Sequence, residues 1–576
     1  MKHCYLFETK SIQNYLFRSG KLKDVIAASE RLGAFINSDA SSVLAKVLKA
    51  ANLDSDLLTA ANENSSGKIK FLRCKGGAMY ACADTRIELV NLRSAWTLTV
   101  QQLFPSLLFI DALGQGASFQ AALTDAHRLL NEERNTPDIA IPIATAIAAR
   151  DQRTGFLSVP LSPAANRSTH KDEPDSFSAD ADIELHRQAY TNLNMKSAGA
   201  LQDRFTPVAL RGAVKYPTDL DTSFPFAAPN TKAGNKEAVK DIALIHLDGN
   251  GLGTILLALK DALKDASDAE FCAVFRQFSE ALSTATEAAA QESTGWLASV
   301  CESTAETADQ SLLPMRPLVL GGDDITLLCR ADLALTYSKR FCSAFKRHSG
   351  MALKPLFNKT LKKAGLSPYL TASGGIVYHK AGHPFVNTHH VVEEVCQHAK
   401  NLTKSAVPAG QVGPAALAFY RMNTAAIGNF DQLLATSQAF EISHNKTKKT
   451  IKLGLNAFFV EDDSTLQPNL KDVELLAEQC RQPNAVVSMN KWRQMAGLLA
   501  LGDMDEAQRI YFRAVDRANE KPNHAFIPES LKKFAHPDSI EDWYWHADSS
   551  SNELQSLIND LLVIDHFRPV TDTKEG

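Results

Sequence analysis

The chain has 576 residues, 45% of them hydrophobic and 22% charged, which predicts about three to five domains and excludes both a single small module and global disorder. Sixty-one Lys and Arg against 65 Asp and Glu leave a formal charge of −4, so no whole-chain positive field exists to hold nucleic acid non-specifically. Nine scattered cysteines without a C-x-x-C pair fit reduced, buried thiols better than a disulfide frame or a zinc knuckle. The N-terminus, MKHCYLFETK, lacks a basic-then-apolar leader, and no apolar run approaches about 20 residues, so a soluble cytoplasmic protein is expected.

Residues 1–150 alternate short apolar runs (Cys4–Phe7, Ile69–Cys74, Ala78–Ala83) with an amphipathic helix from Val25 to Ile36, the pattern of an α/β or α+β layer. Residues 151–238 turn Pro-, Ser- and Asp-rich and read as an irregular insertion, with one short helix near Ile183–Asn194. In 239–415 the strand–helix–hairpin pattern returns. Ile242–Leu247 ends in Asp248, helices follow over Thr254–Ala266 and Ala269–Gln291, and Pro317–Leu320 and Ile325–Cys329 flank Gly321-Gly322-Asp323-Asp324. A strand (Leu370–Tyr378) and a helix (Thr388–Lys400) close the unit, and 416–576 reads as mainly helical.

The first and third regions look like two copies of one unit. CYLF-Glu8, a helix and IKFLRCK-Gly76-Gly77-Ala78-Met79 parallel IALIHL-Asp248, helices and RPLVL-Gly321-Gly322-Asp323-Asp324. In that alignment Ala78 and Met79 replace the paired aspartates, so metal chemistry belongs to the second copy.

Nucleotidyl transfer needs divalent cations held by carboxylate oxygens, and Asp248, Asp323 and Asp324 supply such a cluster. Gly321 and Gly322 permit a turn with positive φ. Asp248-Gly249-Asn250-Gly251 opens a helix whose backbone N–H groups could face phosphate. It is neither a Walker loop nor the dinucleotide fingerprint. Each of these glycine-rich segments also describes an ordinary tight turn.

Taken together and in order, these residues resemble a known family. Asp248-Gly-Asn-Gly-Leu-Gly, Phe278-Ser279-Glu280-Ala281-Leu282, Leu320-Gly-Gly-Asp-Asp-Ile325, Thr371-Ala-Ser-Gly-Gly-Ile376 and Glu393-Glu-Val-Cys-Gln-His-Ala-Lys400 are similar to the catalytic palm of the large polymerase/cyclase subunit of type III CRISPR effector complexes. Ser11-Ile-Gln-Asn-Tyr-Leu-Phe17 and Ala27-Ala-Ser29 look like that subunit's first palm. The resemblance implies an α+β chain with two ferredoxin-like palms, the first degenerate, and a GGDD palm that joins ATP into cyclic oligoadenylate messengers. It also implies that Asp248, Gly249, Asp323 and Asp324 hold Mg²⁺ or Mn²⁺. Lys400 would then meet the triphosphate, and Ser29, Ser279, Gly249, Asn250, Gly251, Gly321 and Gly322 would contact nucleotide. Implied partners are ATP, CRISPR-type ribonucleoprotein subunits or an RNA trigger, and a downstream effector responding to the product. No His-Asp dipeptide occurs, so the family's HD nuclease domain is not expected. Two alternatives remain open: a catalytically silent nucleotide-binding scaffold, and a diguanylate-cyclase-like enzyme.

Overall fold

The computed structural model describes residues 1–59, 67–136, 147–151, 154–159, 179–195, 200–217, 220, 224, 241–302, 311–383, 385–423, 428–444, 447–461, 465–519, 527–534, 542–547 and 552–568. The architecture is mixed α+β with several sheets.

Strand β1 (Lys2–Thr9) is apolar at consecutive positions because both its faces are covered. Cys4 and Leu6 enter one core while Tyr5 and Phe7 enter another. Helices α1 (Ile12–Phe17), α2 (Leu22–Gly33) and α3 (Val43–Ala50) lead to the hairpin of β2 (Ile69–Lys75) and β3 (Ala78–Ala83), followed by α4 (Arg86–Leu103), β4 (Phe109–Gly116) and α5 (Phe119–Arg134). The sheet order is β2-β3-β1-β4, antiparallel throughout. Trp96 of α4 anchors the outer core, fully buried against Phe7 (5.6 Å between ring centroids) and Phe35 (4.6 Å).

The described part of 151–238 holds β5 (Ser158–Val159), β6 (Ala179–Asp180), α6 (Ala181–Met195), α7 (Ala200–Phe205) and β7 (Val214–Lys215). Helix α6 is the short helix expected near Ile183; it packs on α2, and Tyr15 of α1 donates to its Asp182 at 2.7 Å.

The second unit runs β8 (Asp241–Asn250), α8 (Leu252–Ala262), α9 (Asp268–Glu302), β9 (Ser311–Leu312), β10 (Met315–Leu320), β11 (Asp324–Arg330), α10 (Ala331–Lys359), β12 (Thr371–Lys380) and α11 (Phe385–Ser405). Its sheet begins β10-β11-β8-β12, the first sheet's order strand for strand. The chain then continues through β13 (Ala416–Arg421), α12 (Phe430–Ser437), β14 (Ala439–His444), β15 (Thr447–Lys452) and β16 (Ala457–Phe459) to α13 (Leu470–Gln479), α14 (Met489–Ala500), α15 (Met504–Asn519), α16 (Ile527–Lys532), β17 (Trp545–His546), β18 (Glu553–Gln555) and α17 (Ile558–His566).

The repeat is legible in the register, and the register corrects the sequence alignment. Glu8 pairs with Ala78 as Asp248 pairs with Asp324, and each first hairpin strand carries an irregularity at one equivalent place, between Phe71 and Arg73 and between Pro317 and Val319. Gly77 therefore matches Asp323 and Ala78 matches Asp324, a shift of one residue that arises because the glycine pairs align by letter but occupy different turn positions. Glu8 takes Asp248's place, where Tyr80 donates to it and Arg134 pairs with it.

Two further expectations need correction. The region after 415 is not simply helical: β13 pairs with β12 in parallel and β16 with β13, extending the second sheet to six strands, and β14-β15-β18-β17 form another sheet. Parallel β13 needs a crossover to reach its place, and α11 provides it. The thiols are also not all free, since Cys4 and Cys82 form a disulfide across β1 and β3 with Cα atoms 4.2 Å apart. They are 78 residues apart in sequence, and only the strand register brings them face to face.

Candidate active site

The two hairpin turns meet tip to tip. A Cβ added to Gly76 would lie 3.4 Å from the Gly322 nitrogen, so the first copy's glycine turn rests against the second copy's acidic one. The contact is tied from both sides. Ser29 on α2 donates to the Leu318 carbonyl on β10. Arg276 on α9 donates to the carbonyls of Asp56 (2.8 Å), Leu57 (3.1 Å) and Thr59 in the first copy.

At this junction Asp248 stands across from Asp324, and the Gly249 N–H donates to the Asp323 carbonyl at 3.1 Å. The Gly321 N–H donates to the Asp324 carbonyl at 2.8 Å, which makes Gly322 and Asp323 the central residues of the turn. Gly321 and Gly249 are needed for space. A Cβ on Gly321 would overlap the Asp324 carboxylate, and one on Gly249 would sit 3.0 Å from the Asp323 Cβ. The positive φ expected at Gly321 and Gly322 is found instead at Gly76 (62°) and Gly77 (72°). A left-handed conformation at both central positions suits Gly-Gly, whereas the second copy has Asp323 at one of them.

The carboxylates crowd one another. Burial first, and the Asp248 charge second, push Asp323 up to about 7 and Asp324 up to about 6, with Arg73 and Lys400 pulling the other way. Lys400 reaches Asp248 from α11 as an ion pair. Burial disfavours its ammonium, but Asp248 outweighs burial and the net shift is upward. Among the described residues no three His, Cys, Asp or Glu side chains converge as a preformed cation cage. Asp324 lies over Gly321, and Lys400 holds Asp248.

A cavity of about 310 Å³ lies on one side of the meeting turns, lined by Ser29, Gly33, Gly76 and Arg204 together with Gly321 and Asp324. Another of about 260 Å³ is lined by Ser279, Arg276 and Thr284 with Arg73 and Lys75. Thus Ser29 shares a cavity with an aspartate of the turn, and Ser279 does not. Asn250 is not a loop residue. It ends β8, is buried, and donates to Thr371 (3.1 Å) and Ser373 (2.8 Å), so its amide group locks β8 to β12. Gly251 starts α8 at φ 87°, with Val412 packed where its side chain would be.

No model of a known protein family matches the chain, and no curated protein matches it. Among solved structures it is similar to Csm1 of T. onnurineus (13% identity, TM-score 0.40, covering 92% of this chain and 68% of that one). It is also similar to an apo Csm1–Csm4 cassette (14%, TM-score 0.36, covering 69% and 53%) and to a Csm1–Csm4 cassette in complex with cA4 (14%, TM-score 0.38, covering 90% and 69%). The chain spans about half the length of the apo cassette's matched chain. Among the described residues no helix is long and apolar enough to cross a membrane.

Two site residues escaped the sequence reading. Arg73 looked like an ordinary strand residue, yet its side chain lies beside the Gly76 and Gly322 turns and its charge acts on Asp323 and Asp324. Gly375 lets α11 approach β12 at backbone contact, since a Cβ there would be 2.5 Å from the Val392 carbonyl oxygen and 2.6 Å from the Cys396 nitrogen. That approach sets where Lys400 stands. The Gly-Gly pair at 374–375 was the available signal.

Proposed function

We propose that the chain is a metal-dependent nucleotidyltransferase that joins ATP into cyclic oligoadenylate-type messengers for antiviral defence, as a polymerase/cyclase relative with two ferredoxin-like palms. The observation that carries this reading is the meeting of two sheets that share one antiparallel four-strand order, turn against turn, with Asp248, Asp323 and Asp324 at the junction and two cavities beside it. Asp248 and Asp323, with the backbone at Gly249, would hold Mg²⁺ or Mn²⁺. The fit rests on the chemistry of the donors: Asp248, Asp323 and Asp324 bring carboxylates to one turn, and Mg²⁺ takes one or two carboxylates together with water and substrate phosphates. When bound, such ions activate a ribose hydroxyl and neutralise the leaving pyrophosphate.

The protein's own residues do the positioning. Ser29 and Gly321 line the pocket for one nucleotide, and Ser279 and Arg73 line the pocket for the other. Lys400 meets the triphosphate. The 2′- or 3′-hydroxyl of one ATP attacks the α-phosphorus of the second, a P–O bond forms, and pyrophosphate departs. Incubating the purified chain with each NTP and Mg²⁺ or Mn²⁺, with and without RNA, and resolving products by mass spectrometry tests the reading. Cyclic or linear oligoadenylate with pyrophosphate supports it. A guanosine-only product supports the diguanylate-cyclase-like alternative. The ion pair that occupies Asp248 favours the scaffold reading, which would hold if ATP binds and no pyrophosphate appears under any activator.

Arg73 supplies a specific check. Arg73→Ala, which removes a cation at the turn contact, lowers kcat/KM for ATP by about 10- to 100-fold while leaving the far-ultraviolet circular dichroism unchanged. Unaltered steady-state kinetics would remove Arg73 from the site.

A further inference from the structure

At the far end of β8 from Asp248, roughly 23 Å along the strand, lies a third cavity of about 250 Å³ formed by β13, the end of α12, α14 and α17. Of its ten lining residues only Leu562 and Val563 are aliphatic, and none is acidic. The polar lining includes Tyr420, Arg421, Asn423, Arg493, Asn559 and His566.

The charges around it do not balance. Arg493 shares a single carboxylate, Asp565, with Arg481, at 2.6 Å and 2.7 Å respectively. His566 shares Asp241 with Lys380, 3.5 Å from its own ring nitrogen. Among the described residues Arg421 has no carboxylate within ion-pair distance. Its guanidinium carbon lies 5.5 Å above the Phe567 ring, which stacks on buried Tyr378 at 4.0 Å and so fixes the platform. Arg421 and Arg493 thus bring two guanidinium groups to a lining without a carboxylate, while the nearby Asp565 is shared with Arg481 and Asp241 acts on Lys380, His566 and, at longer range, Arg421. The Tyr420 hydroxyl and Ser437 hydroxyl, 3.2 Å apart, add groups that can donate to an oxyanion.

We propose that this cavity is a binding site for a small phosphate-bearing ligand, a free phosphate or the phosphomonoester of a sugar or mononucleotide. A planar guanidinium on an aromatic platform, with a second arginine in the same lining, suits a multidentate oxyanion. The volume falls just below the range of about 300–1,000 Å³ typical of drug-sized pockets, which limits the ligand to roughly mononucleotide size. The site goes beyond the nucleotidyl-transfer reading and stands whether or not that reading holds.

The test titrates the full chain by calorimetry with inorganic phosphate, with AMP and with adenosine, in buffer containing EDTA so that no cation bridges phosphate to Asp248 or Asp323. Saturable binding of phosphate or AMP, with none by adenosine, is expected. Binding of phosphate as tight as AMP identifies the free anion as the ligand, and tighter AMP binding identifies the monoester. Arg421→Gln should weaken either by about 10- to 100-fold. Asn559→Ala, which leaves every ion pair in place, serves as a second variant should Arg421→Gln fold poorly, and it should weaken binding severalfold. Equal affinity in wild type and in whichever of the two variants folds, or no saturable binding by wild type, overturns the proposal.

Discussion

Asp323→Asn is expected to abolish divalent-dependent pyrophosphate release, by roughly a thousandfold, and at the same time to make the cation-free protein more stable. Asp323 is confined beside Asp248 and Asp324 in a part-buried turn, where burial first and the two neighbouring carboxylates second drive its carboxyl up to about 7. Removing one of three like charges relieves repulsion that Lys400 and Arg73 only partly offset. The gain should be about 1–2 kcal/mol, read as a rise of about 1–3 °C in apparent Tm without Mg²⁺. Wild type should recover that difference when Mg²⁺ is added, because an ion that binds only the folded state stabilises it, and the variant should not. An Asp323→Asn protein that melts lower than wild type, or still gains stability from Mg²⁺, would contradict the assignment of this turn as a cation site.

The second large effect belongs to a residue that touches no substrate. Gly375→Val places a branched side chain where the Val392 carbonyl and Cys396 nitrogen of α11 already press against β12. Because packed interiors relax only partially, α11 must lift, at a cost of about 3 kcal/mol. Lys400 rides on that helix, so its ion pair with Asp248 separates as well. Urea denaturation should show the lost stability, and nucleotidyl transfer should fall even at temperatures where the variant remains folded. Gly374→Ala is the informative neighbour. It would crowd Leu247 and the His246 carbonyl of β8 instead, and so separates damage to the sheet from displacement of α11. Wild-type stability in Gly375→Val would mean that α11 does not depend on this close approach.

Much of the second unit is legible in the sequence. The expected strand ending in Asp248 is β8, the two strands around the glycine-aspartate turn are β10 and β11, and the helix bearing Lys400 is α11. These elements are long, apolar on their buried faces and punctuated by glycine, the conditions under which local pattern and tertiary environment agree. The duplication was readable too, but its register was not. The letters Gly-Gly align one way and the hydrogen-bonded turns another, and only pairing between strands decides which residue faces which.

Length and a charge of −4 already ruled out a small module and a broadly basic surface, and the run of glycine- and aspartate-bearing motifs in order pointed to a polymerase/cyclase-type centre. The length, the charge and the order of the motifs belong to the chain itself, so sequence alone determines them. Tertiary structure decided what depends on residues far apart: that Asn250 locks β8 to β12, that Arg73 of one copy stands beside the acidic turn of the other, that Cys4 meets Cys82, and that β13 and β16 finish the second sheet. Each is a contact set by strand register or helix packing, and those arrangements form only when the whole core closes.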